Sequence, residues 1–206
     1  GSGTGAVAVG LSLAGYVITG IDFSPDMLRA ARSTAKKHDA NAEFLDGDIV
    51  KIRLDRRFDL LICLGNTLPL ITGRGESRRF FKNCIRHLKP GGTAIFQILN
   101  YDRILKERPT TFAIDSKDDL IRIKQYRYGT RLLDFVITLI DNSRVPPAIT
   151  ISKRKLKPWT KKEISAELKE AGFDKVSAYK DYNRGRFNLV SKDLIIVAKI
   201  WKKGRP

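Results

Sequence analysis

The sequence predicts an α/β fold with a doubly wound, mostly parallel sheet. Strand-like and helix-like segments alternate up to residue 99, which is the rhythm of parallel strands covered by helices. A glycine-rich turn at residues 1–5 leads into a helix, and the apolar strand that follows ends in Asp22. At 206 residues the length suits one domain over residues 1–206 that carries an insertion.

The helices and strands of this first part have recognisable boundaries. Ser24 is an N-cap residue, Pro25 suits the first helical position, and Asp26 complements the helix dipole. Residues 58–64 form a continuous apolar run, which predicts a strand buried on both faces. We predict further helices over residues 6–13 and 76–88, and further strands over residues 16–21, 42–45 and 93–99.

The alternation stops after Asn100, and an antiparallel insertion of about residues 110–156 is predicted in its place. Strand-like runs at 120–128 and 131–140 flank a Gly-Thr turn, and a third run covers 148–156. Such a sheet cannot bury both of its faces alone, so we expect one face to act as a lid over a crevice.

The final segment predicts a capped helix and a C-terminal antiparallel hairpin. Thr160 and Glu163 have the spacing of a capping box, and Gly172 is placed to end the helix. Strands are predicted over residues 175–182 and 194–201.

The strand that normally leads into such a glycine turn is missing from the start of the sequence. In a doubly wound fold that strand lies at the centre of the sheet, where its removal leaves backbone groups of two neighbours unpaired. We therefore expect the native protein to have residues upstream of Gly1.

The net charge of +17 suggests either a polyanionic partner such as RNA or a surface that is generally rich in lysine and arginine. The charges are spread along the chain, which favours the second interpretation, so a nucleic-acid partner is possible but not favoured. No run of about 18 apolar residues and no secretory leader is visible, so we expect no membrane segment and a cytoplasmic location. Cys63 and Cys84 predict no metal site, and the sequence does not indicate an oligomeric state.

The glycine turn and Asp22 together predict a nucleoside-type cofactor. Backbone N–H groups of such a turn can approach a ligand closely, and an acidic residue ~20 positions on can accept hydrogen bonds from ribose hydroxyls. Nicotinamide enzymes use the same logic with a glycine at the sixth position, where this chain has Ala6. Asp48 follows another strand and is placed to bind an adenine amine.

These features resemble the class I S-adenosylmethionine-dependent methyltransferases. The resemblance extends over essentially the whole chain, and its separate pieces occur in the right order and spacing. The matching stretches are GSGTG at 1–5, GIDFSPDML at 20–28, FLDGDI at 44–49, FDLLICLGN at 58–66 and HLKPGG at 87–92.

The resemblance implies a binding site for S-adenosylmethionine. It implies that Asp22 binds the ribose hydroxyls and that Asp48 reaches the adenine amine. Residues implied to pass under the methionine and ribose are Gly1, Gly3 and Gly5. Residues implied to pack near the adenine, although ordinary core packing is the alternative, are Phe23, Met27 and Ile49. Residues implied to line the methyl-donor end are Leu64 and Asn66.

Residues 100–105, NYDRIL, resemble the corresponding segment of glycine and sarcosine N-methyltransferases, which also carry an antiparallel lid at this point. That resemblance implies that Asn100 and Tyr101 bind substrate, with Asn100 holding an amino-acid carboxylate. An arginine partner for the carboxylate cannot be assigned between Arg127 and Arg131. A generic strand-to-lid connection is the alternative for this segment.

The expected activity is methyl transfer to a small molecule, an amine or an amino-acid-like acceptor, by direct displacement under the β lid. The donor is already activated, so alignment supplies most of the catalysis and a neutral amine needs no strong base. No catalytic residue is assignable, since no His/Asp or Cys/His constellation is visible. Two alternatives stay open: an RNA-directed methyltransferase and a catalytically silent module with the cofactor fold.

Overall fold

Helices and strands alternate through most of the first hundred residues, although β3 follows β2 without a helix between them. The structure is a computed structural model that describes residues 1–201, so the last five residues of the expected single domain lie outside the described part. The helices are α1 (Ala6–Leu13), α2 (Pro25–Lys37), α3 (Glu76–His87), α4 (Tyr101–Glu107) and α5 (Lys161–Ala171). The strands are β1 (Ile18–Asp22), β2 (Ala42–Asp46), β3 (Phe58–Cys63), β4 (Leu88–Leu99), β5 (Thr111–Lys117), β6 (Leu120–Tyr128), β7 (Leu133–Asp141), β8 (Ala148–Leu156), β9 (Lys175–Tyr179) and β10 (Asp193–Lys199).

The described strands form three sheets, and the prediction of a mostly parallel arrangement needs correction. Parallel pairing in residues 1–201 is limited to β1 with β2 and β3 with β4. In the second sheet, of order β3-β4-β10-β9, strand β10 is antiparallel to both of its neighbours. The third sheet, β5-β6-β7-β8, is entirely antiparallel. The α/β content, the antiparallel insertion and the C-terminal hairpin are confirmed.

Strand β3 also departs from its prediction. We expected it to be buried on both faces, yet Asp59 is exposed and Leu60 keeps 47% of its surface accessible. Its only described partner strand is β4, which pairs along one edge. An apolar run therefore predicted the strand correctly but overestimated how completely its neighbours cover it.

Two hydrophobic cores hold the described elements together. A small one packs α1 and α2 against β1 and β2 through residues such as Val9, Ala31 and Phe44. The large one surrounds β4 and contains the fully buried rings of Phe81, Phe96, Tyr101 and Trp159. The insertion joins the large core through Tyr126, Leu133 and Leu156, so the base of its sheet is part of the body.

The ends of the strands are tied together where the loops meet. Ser2 N–H donates to the Ile21 carbonyl at 2.7 Å, and Gly47 N–H donates to the Asp22 carbonyl at 3.0 Å. These bonds place the loops after β1 and β2 beside the glycine turn. The carboxyl ends of parallel strands are the usual place for ligands in open α/β sheets.

We predict that Thr160→Ala destabilises the protein. Thr160 Oγ1 accepts from Glu163 N–H, and the Glu163 carboxylate accepts from Thr160 N–H at 2.9 Å, which completes the capping box. Loss of such a cap costs about 1 kcal/mol, which at this size lowers the melting temperature by roughly 2–4 °C. Lys162→Ala, on the exposed face of the same helix, is the control and should leave the midpoint nearly unchanged. Equal midpoints for both variants in thermal melts would contradict the prediction.

Candidate functional site

Asp22 lies at the carboxyl end of β1 and is 7% exposed. One carboxylate oxygen accepts from Gly3 N–H at 2.8 Å, and the other accepts from Ser24 N–H at 3.0 Å. A carboxylate has about four lone-pair positions, so two acceptor positions remain after these bonds. Asp22 therefore fixes the glycine turn and keeps capacity to bind a ligand's hydroxyl groups.

The glycine turn combines one open and one crowded position. Gly3 has φ +54°, and a Cβ added there would meet nothing within 4 Å. Gly5 has φ +79°, and a Cβ added there would lie 2.9 Å from the Ala31 Cβ. The open side of the turn at Gly3 is accessible to a ligand, whereas Gly5 lets the turn pack against α2.

Two further residues complete this turn. A Cβ added at Gly1 would lie 2.6 Å from the Thr67 side chain, so the turn also approaches the loop after β3. The Ser2 hydroxyl is buried without a hydrogen-bond partner in the described part of the chain. Buried polar groups normally have partners, so an orphan hydroxyl at the turn fits a site that a polar ligand completes.

The apolar residues implied to pack near adenine differ in burial. Phe23 is 74% exposed and Met27 is 38% exposed, so core packing does not account for either side chain. Ile49 is partly buried against the large core, as core packing would require. The exposed Phe23 ring is thus available for the implied adenine contact, which stays a prediction, whereas core packing explains the burial of Ile49.

Asp48 lies exposed after β2 and has local partners. Its carboxylate accepts from Val50 N–H at 2.8 Å and forms an ion pair with Lys51 at 3.6 Å. These contacts cap the turn that follows β2. Binding of an adenine amine by Asp48 stays a prediction.

Leu64 and Asn66 follow β3, where the methyl-donor end was expected. Leu64 is half-buried, and Asn66 has φ +63°, an uncommon conformation for a residue with a side chain. The Asn66 side-chain amide donates to the Tyr101 hydroxyl at 2.9 Å, and its carbonyl accepts from Leu99 N–H at 3.1 Å. Asn66 thus links the ends of β3 and β4 to the first residue of α4.

Asn100, which was expected to bind substrate, instead makes hydrogen bonds to the backbone of the protein. It is fully buried, and its amide donates to the carbonyls of Asn188, Leu189 and Ser191 at 2.9–3.2 Å. Its side-chain carbonyl accepts from Arg103 N–H and caps α4. Both amide hydrogens of Asn100 are therefore used in hydrogen bonds to the loop before β10, which leaves no free donor for a carboxylate. Carboxylate binding by Asn100 stays a prediction.

Tyr101 is also fully buried, and burial raises the pKa of its hydroxyl far above the usual value. The hydroxyl hydrogen-bonds with the Asn66 side chain and lies beside Tyr126, whose charge would raise the Tyr101 pKa further. The alternative view of residues 100–105 as a connection is supported in part, because they form a helix that the sequence did not predict. Substrate contact by Tyr101 stays a prediction.

Sequence reasoning missed several polar residues near these strand ends. Gln97 accepts from Gly65 N–H at 2.7 Å and donates to Asp193 at 2.8 Å, which joins β3, β4 and β10. Ser2 carries a buried hydroxyl without a partner in residues 1–201, and Tyr126 is buried in the large core. The alternation of Tyr126 and Tyr128 along β6 could have predicted that Tyr126 faces the core. A glutamine inside the apolar strand β4 could have predicted that Gln97 has a buried polar partner.

Neither the two candidate arginines nor Cys63 has contacts that indicate a ligand-binding role. Arg127 lies exposed on β6, near Asp134. The hydrogen bond from Lys153 is the main cause that lowers the carboxyl pKa of Asp134; burial opposes the shift, and Lys155 and Arg127 add smaller lowering effects. Arg131 is exposed in the turn before β7 rather than in a strand. Cys63 is buried, which raises the pKa of its thiol to about 11.

The described residues contain neither a cluster of metal-binding side chains nor a helix that could span a membrane. In residues 1–201, no three His, Cys, Asp or Glu side chains group as a metal ion requires. None of the helices over the same residues has the length and apolar character to cross a membrane.

Sequence comparison agrees with the geometry at the glycine turn. Residues 1–92 match the family described as "Methyltransferase domain". The ubiquinone biosynthesis O-methyltransferase of Rickettsia akari is 29% identical over 100 residues, which cover 48% of this chain and 38% of that protein. The enzyme of the same name from Coxiella burnetii is 30% identical over 101 residues, covering 48% of this chain and 42% of that protein. The chain therefore matches less than half the length of these curated relatives.

Solved structures cover nearly the whole chain. A S-adenosylmethionine-dependent methyltransferase from Clostridium acetobutylicum has a TM-score of 0.86 at 18% identity, covering 97% of this chain and 81% of that one. The CcbJ methyltransferase from Streptomyces caelestis has a TM-score of 0.87 at 22% identity, covering 98% and 81%. CalS10, an amino pentose methyltransferase from Micromonospora echinaspora solved with bound S-adenosylmethionine, has a TM-score of 0.74 at 19% identity, covering 97% and 80%. The chain thus has the fold of S-adenosylmethionine-dependent methyltransferases, and its first 92 residues match the methyltransferase-domain family.

Proposed function

We propose that this chain binds S-adenosylmethionine and transfers its methyl group to a small molecule, with an amine as the acceptor. The observation that carries the proposal is the Asp22 carboxylate, which grips the glycine turn and retains free acceptor positions at the strand end. The fold and the domain-family match support the same activity.

The residues present fit this cofactor. Gly3, at the open face of the turn, donates its N–H to Asp22, the orphan Ser2 hydroxyl lies in the same turn, and the exposed Phe23 follows Asp22 directly in the sequence. In the proposed complex Asp22 accepts hydrogen bonds from the ribose hydroxyls and Phe23 packs on the adenine. The cofactor supplies a methyl group that is already activated by its positive sulfur.

The chain's own part in the reaction is alignment. Gly1, Gly3 and Gly5 shape the turn, while Leu64 and Asn66 are placed at the methyl-donor end. Holding the nucleophile and the methyl group in line supplies most of the rate enhancement in such a displacement. A neutral amine attacks with its own lone pair, so the proposed reaction requires no general base from the chain.

The acceptor class rests on two supports. Residues 100–105 resemble glycine and sarcosine N-methyltransferases, and one solved structure with this fold acts on an amino pentose. The insertion contacts the body through Tyr126, Leu133 and Leu156, which suits the proposed lid that excludes water from the acceptor. The curated relatives are O-methyltransferases, which makes an oxygen nucleophile the second candidate.

The RNA alternative draws on the basic strand β8, but part of its charge is neutralised. Lys153 and Lys155 both pair with Asp134, at 2.8 Å and 3.8 Å. A salt-dependent gel shift with single-stranded RNA tests this alternative, since phosphate contacts weaken steeply as salt rises. Calorimetry with the cofactor product tests the alternative of a silent module.

We predict that Asp22→Asn weakens binding of S-adenosylhomocysteine. Asparagine keeps one carbonyl oxygen and loses the charge, so the turn and the ribose lose charge-assisted hydrogen bonds. The dissociation constant should rise about 10- to 100-fold in isothermal titration calorimetry.

Asp26→Asn is the matched control, since this exposed carboxylate pairs only with Arg29 among the described residues. It should leave the affinity unchanged. An Asp22→Asn protein that is folded by circular dichroism and binds as tightly as the wild type would refute the cofactor assignment.

The two turn glycines predict different defects on replacement by alanine. Both have positive φ, but only Gly5 also meets neighbouring atoms. Gly5→Ala should therefore reduce the free energy of unfolding by about 1 kcal/mol or more beyond the effect of Gly3→Ala. Urea denaturation would show this as a lower midpoint for Gly5→Ala. Gly3→Ala should weaken S-adenosylhomocysteine binding in the folded protein, because its methyl group fills the open face. A Gly3→Ala protein with normal affinity would show that the ligand does not contact this face.

We predict methyl transfer to amines rather than to phenols. Radiolabelled S-adenosylmethionine would be incubated with a panel of glycine, sarcosine, ethanolamine, ethylamine and catechol. For an amine acceptor the rate should rise with pH as the free amine forms. Labelling of catechol alone would favour the oxygen nucleophile, and tight cofactor binding without any labelling would contradict the proposed acceptor class.

A further inference from the structure

One face of the insertion sheet is built largely of isoleucine. Residues that lie opposite each other in an antiparallel register share a face of the sheet, and alternate residues of one strand share it too. Six isoleucines from all four strands lie on the same face by this rule, in two neighbouring rows of the register. The members of this isoleucine face are Ile114, Ile121, Ile123, Ile140, Ile149 and Ile151.

The isoleucine face is open to solvent. Ile114, Ile149 and Ile151 keep 67%, 63% and 68% of their surface accessible. None of the six isoleucines packs against either hydrophobic core of residues 1–201. Tyr126 and Leu133, which do join the large core, occupy the alternate positions of their strands and therefore lie on the opposite face. A contiguous apolar patch of this kind is uncommon on a monomer and marks an interaction surface.

We propose that a second copy of this chain covers the isoleucine face, so that two insertion sheets pack face to face across a two-fold axis. Apolar faces of two sheets pack about 10 Å apart in β-sandwiches. In an isologous dimer each chain uses the same surface, which an apolar face of this kind allows. The inference is independent of the proposed function, because it concerns the face that points away from the large core.

The isoleucine face is large enough for a stable dimer. Strands β6, β7 and β8 have nine residues each. At the usual spacings of residues and strands, such a sheet measures about 30 Å by 19 Å in projection. Two faces of this size bury more than about 1,000 Å², which is the area expected of a biological interface.

The base of this face, next to the large core, is basic. Arg127, Asp134 and Lys155 lie in one row of the register, and Lys153 lies in the next row. Asp134 pairs with Lys153 at 2.8 Å and with Lys155 at 3.8 Å, so three cations share one carboxylate. Two bases that faced each other in a dimer would therefore repel.

The opposite end of the sheet has an acidic turn. Asp118 and Asp119 are exposed between β5 and β6. Two cations are also near this end. Lys117 pairs in register with Leu120 and so lies on the other face, and Arg144 forms an ion pair with Asp141 at 3.5 Å. The carboxylates of the turn are therefore available to a basic partner.

These charges determine the orientation of the proposed dimer. Ile123 lies four residues from Arg127 and four residues from Asp119 along the chain. A two-fold axis that crosses the strands at Ile123 therefore places the basic base of one chain over the acidic turn of the other. Opposite charges then meet at both ends of the interface, and the isoleucines meet at its centre.

The first experiment measures the mass of the full chain by sedimentation over a range of protein concentrations. The wild type should reach the mass of two chains. Ile151→Glu should raise the dissociation constant of the dimer about 100-fold or more, because it places a charge in the apolar centre of the interface. Thr150→Glu is the matched control, since Thr150 is exposed on the opposite face of the same strand. It should leave the dimer intact.

A thermal melt gives a second readout in the same proteins. Because only folded chains dimerise, the melting temperature of the wild type and of Thr150→Glu should rise with protein concentration. That of Ile151→Glu should not. Circular dichroism would verify that both variants are folded.

Charge reversal tests the orientation. Arg127→Glu should weaken the dimer about 10-fold, because it places a carboxylate opposite the acidic turn of the second copy. Adding Asp119→Lys in the same chain should restore most of the lost affinity. An effect of Arg127→Glu that Asp119→Lys does not offset would overturn the proposed two-fold axis.

The remaining outcomes concern what covers the face. A wild type that stays monomeric at every concentration would overturn the inference, as would an Ile151→Glu protein that dimerises as tightly as Thr150→Glu. Wild-type monomers that sediment with phosphatidylserine vesicles would assign the isoleucine face to a lipid surface and overturn it as well. Each of these results leaves the proposed methyl transfer untouched, because none of them measures cofactor binding.

Discussion

The hydrogen bonds from Gly3 and Ser24 to the Asp22 carboxylate are the interaction on which the rest of the site depends. They join the glycine turn, the end of β1 and the start of α2 at one side chain. The carboxylate is nearly buried, and the two backbone N–H groups stabilise its charge. The same group thus holds the turn in shape and, in the proposed complex, also binds the ribose.

Amide side chains connect the ends of the strands through hydrogen bonds. Asn66 connects β3 to Tyr101 and Leu99, and Asn100 holds the loop before β10 with three hydrogen bonds. Gln97 adds a link between Gly65 and Asp193. These hydrogen bonds fix the strand ends relative to one another, and such an arrangement suits a reaction in which alignment does most of the work.

Local signals in the sequence predicted the elements well. The caps of α2 and α5 lie at Ser24 and Thr160 as their side-chain chemistry indicates, because capping is decided by neighbouring residues. The arrangement of the strands in the sheets was harder. The antiparallel hairpin of β9 and β10 was predicted, but the antiparallel pairing of β10 with β4 was not, because an apolar pattern does not specify which strand lies beside which. Helix α4 was missed because its cap, Asn100, was interpreted as a ligand-binding residue.

The site was predictable where motifs are contiguous and less so where distant residues meet. Gly3 and Asp22 are in contact and lie 19 positions apart in the sequence, so the spacing of the motif was enough to predict that they belong to one site. Exposure of Phe23 is decided by tertiary packing, and the sequence left core packing open for it. The contact between Tyr126 and Tyr101 joins an insertion strand to the body, which spacing along the chain does not reveal.

The most direct measurement is a crystal structure of the protein soaked with S-adenosylhomocysteine. The account predicts density between the Gly1–Gly5 turn and β1, with both ribose hydroxyls within hydrogen-bonding distance of the Asp22 carboxylate and the adenine against Phe23. Ligand density that leaves Asp22 without a contact, or a turn that stays free at saturating ligand, would contradict it.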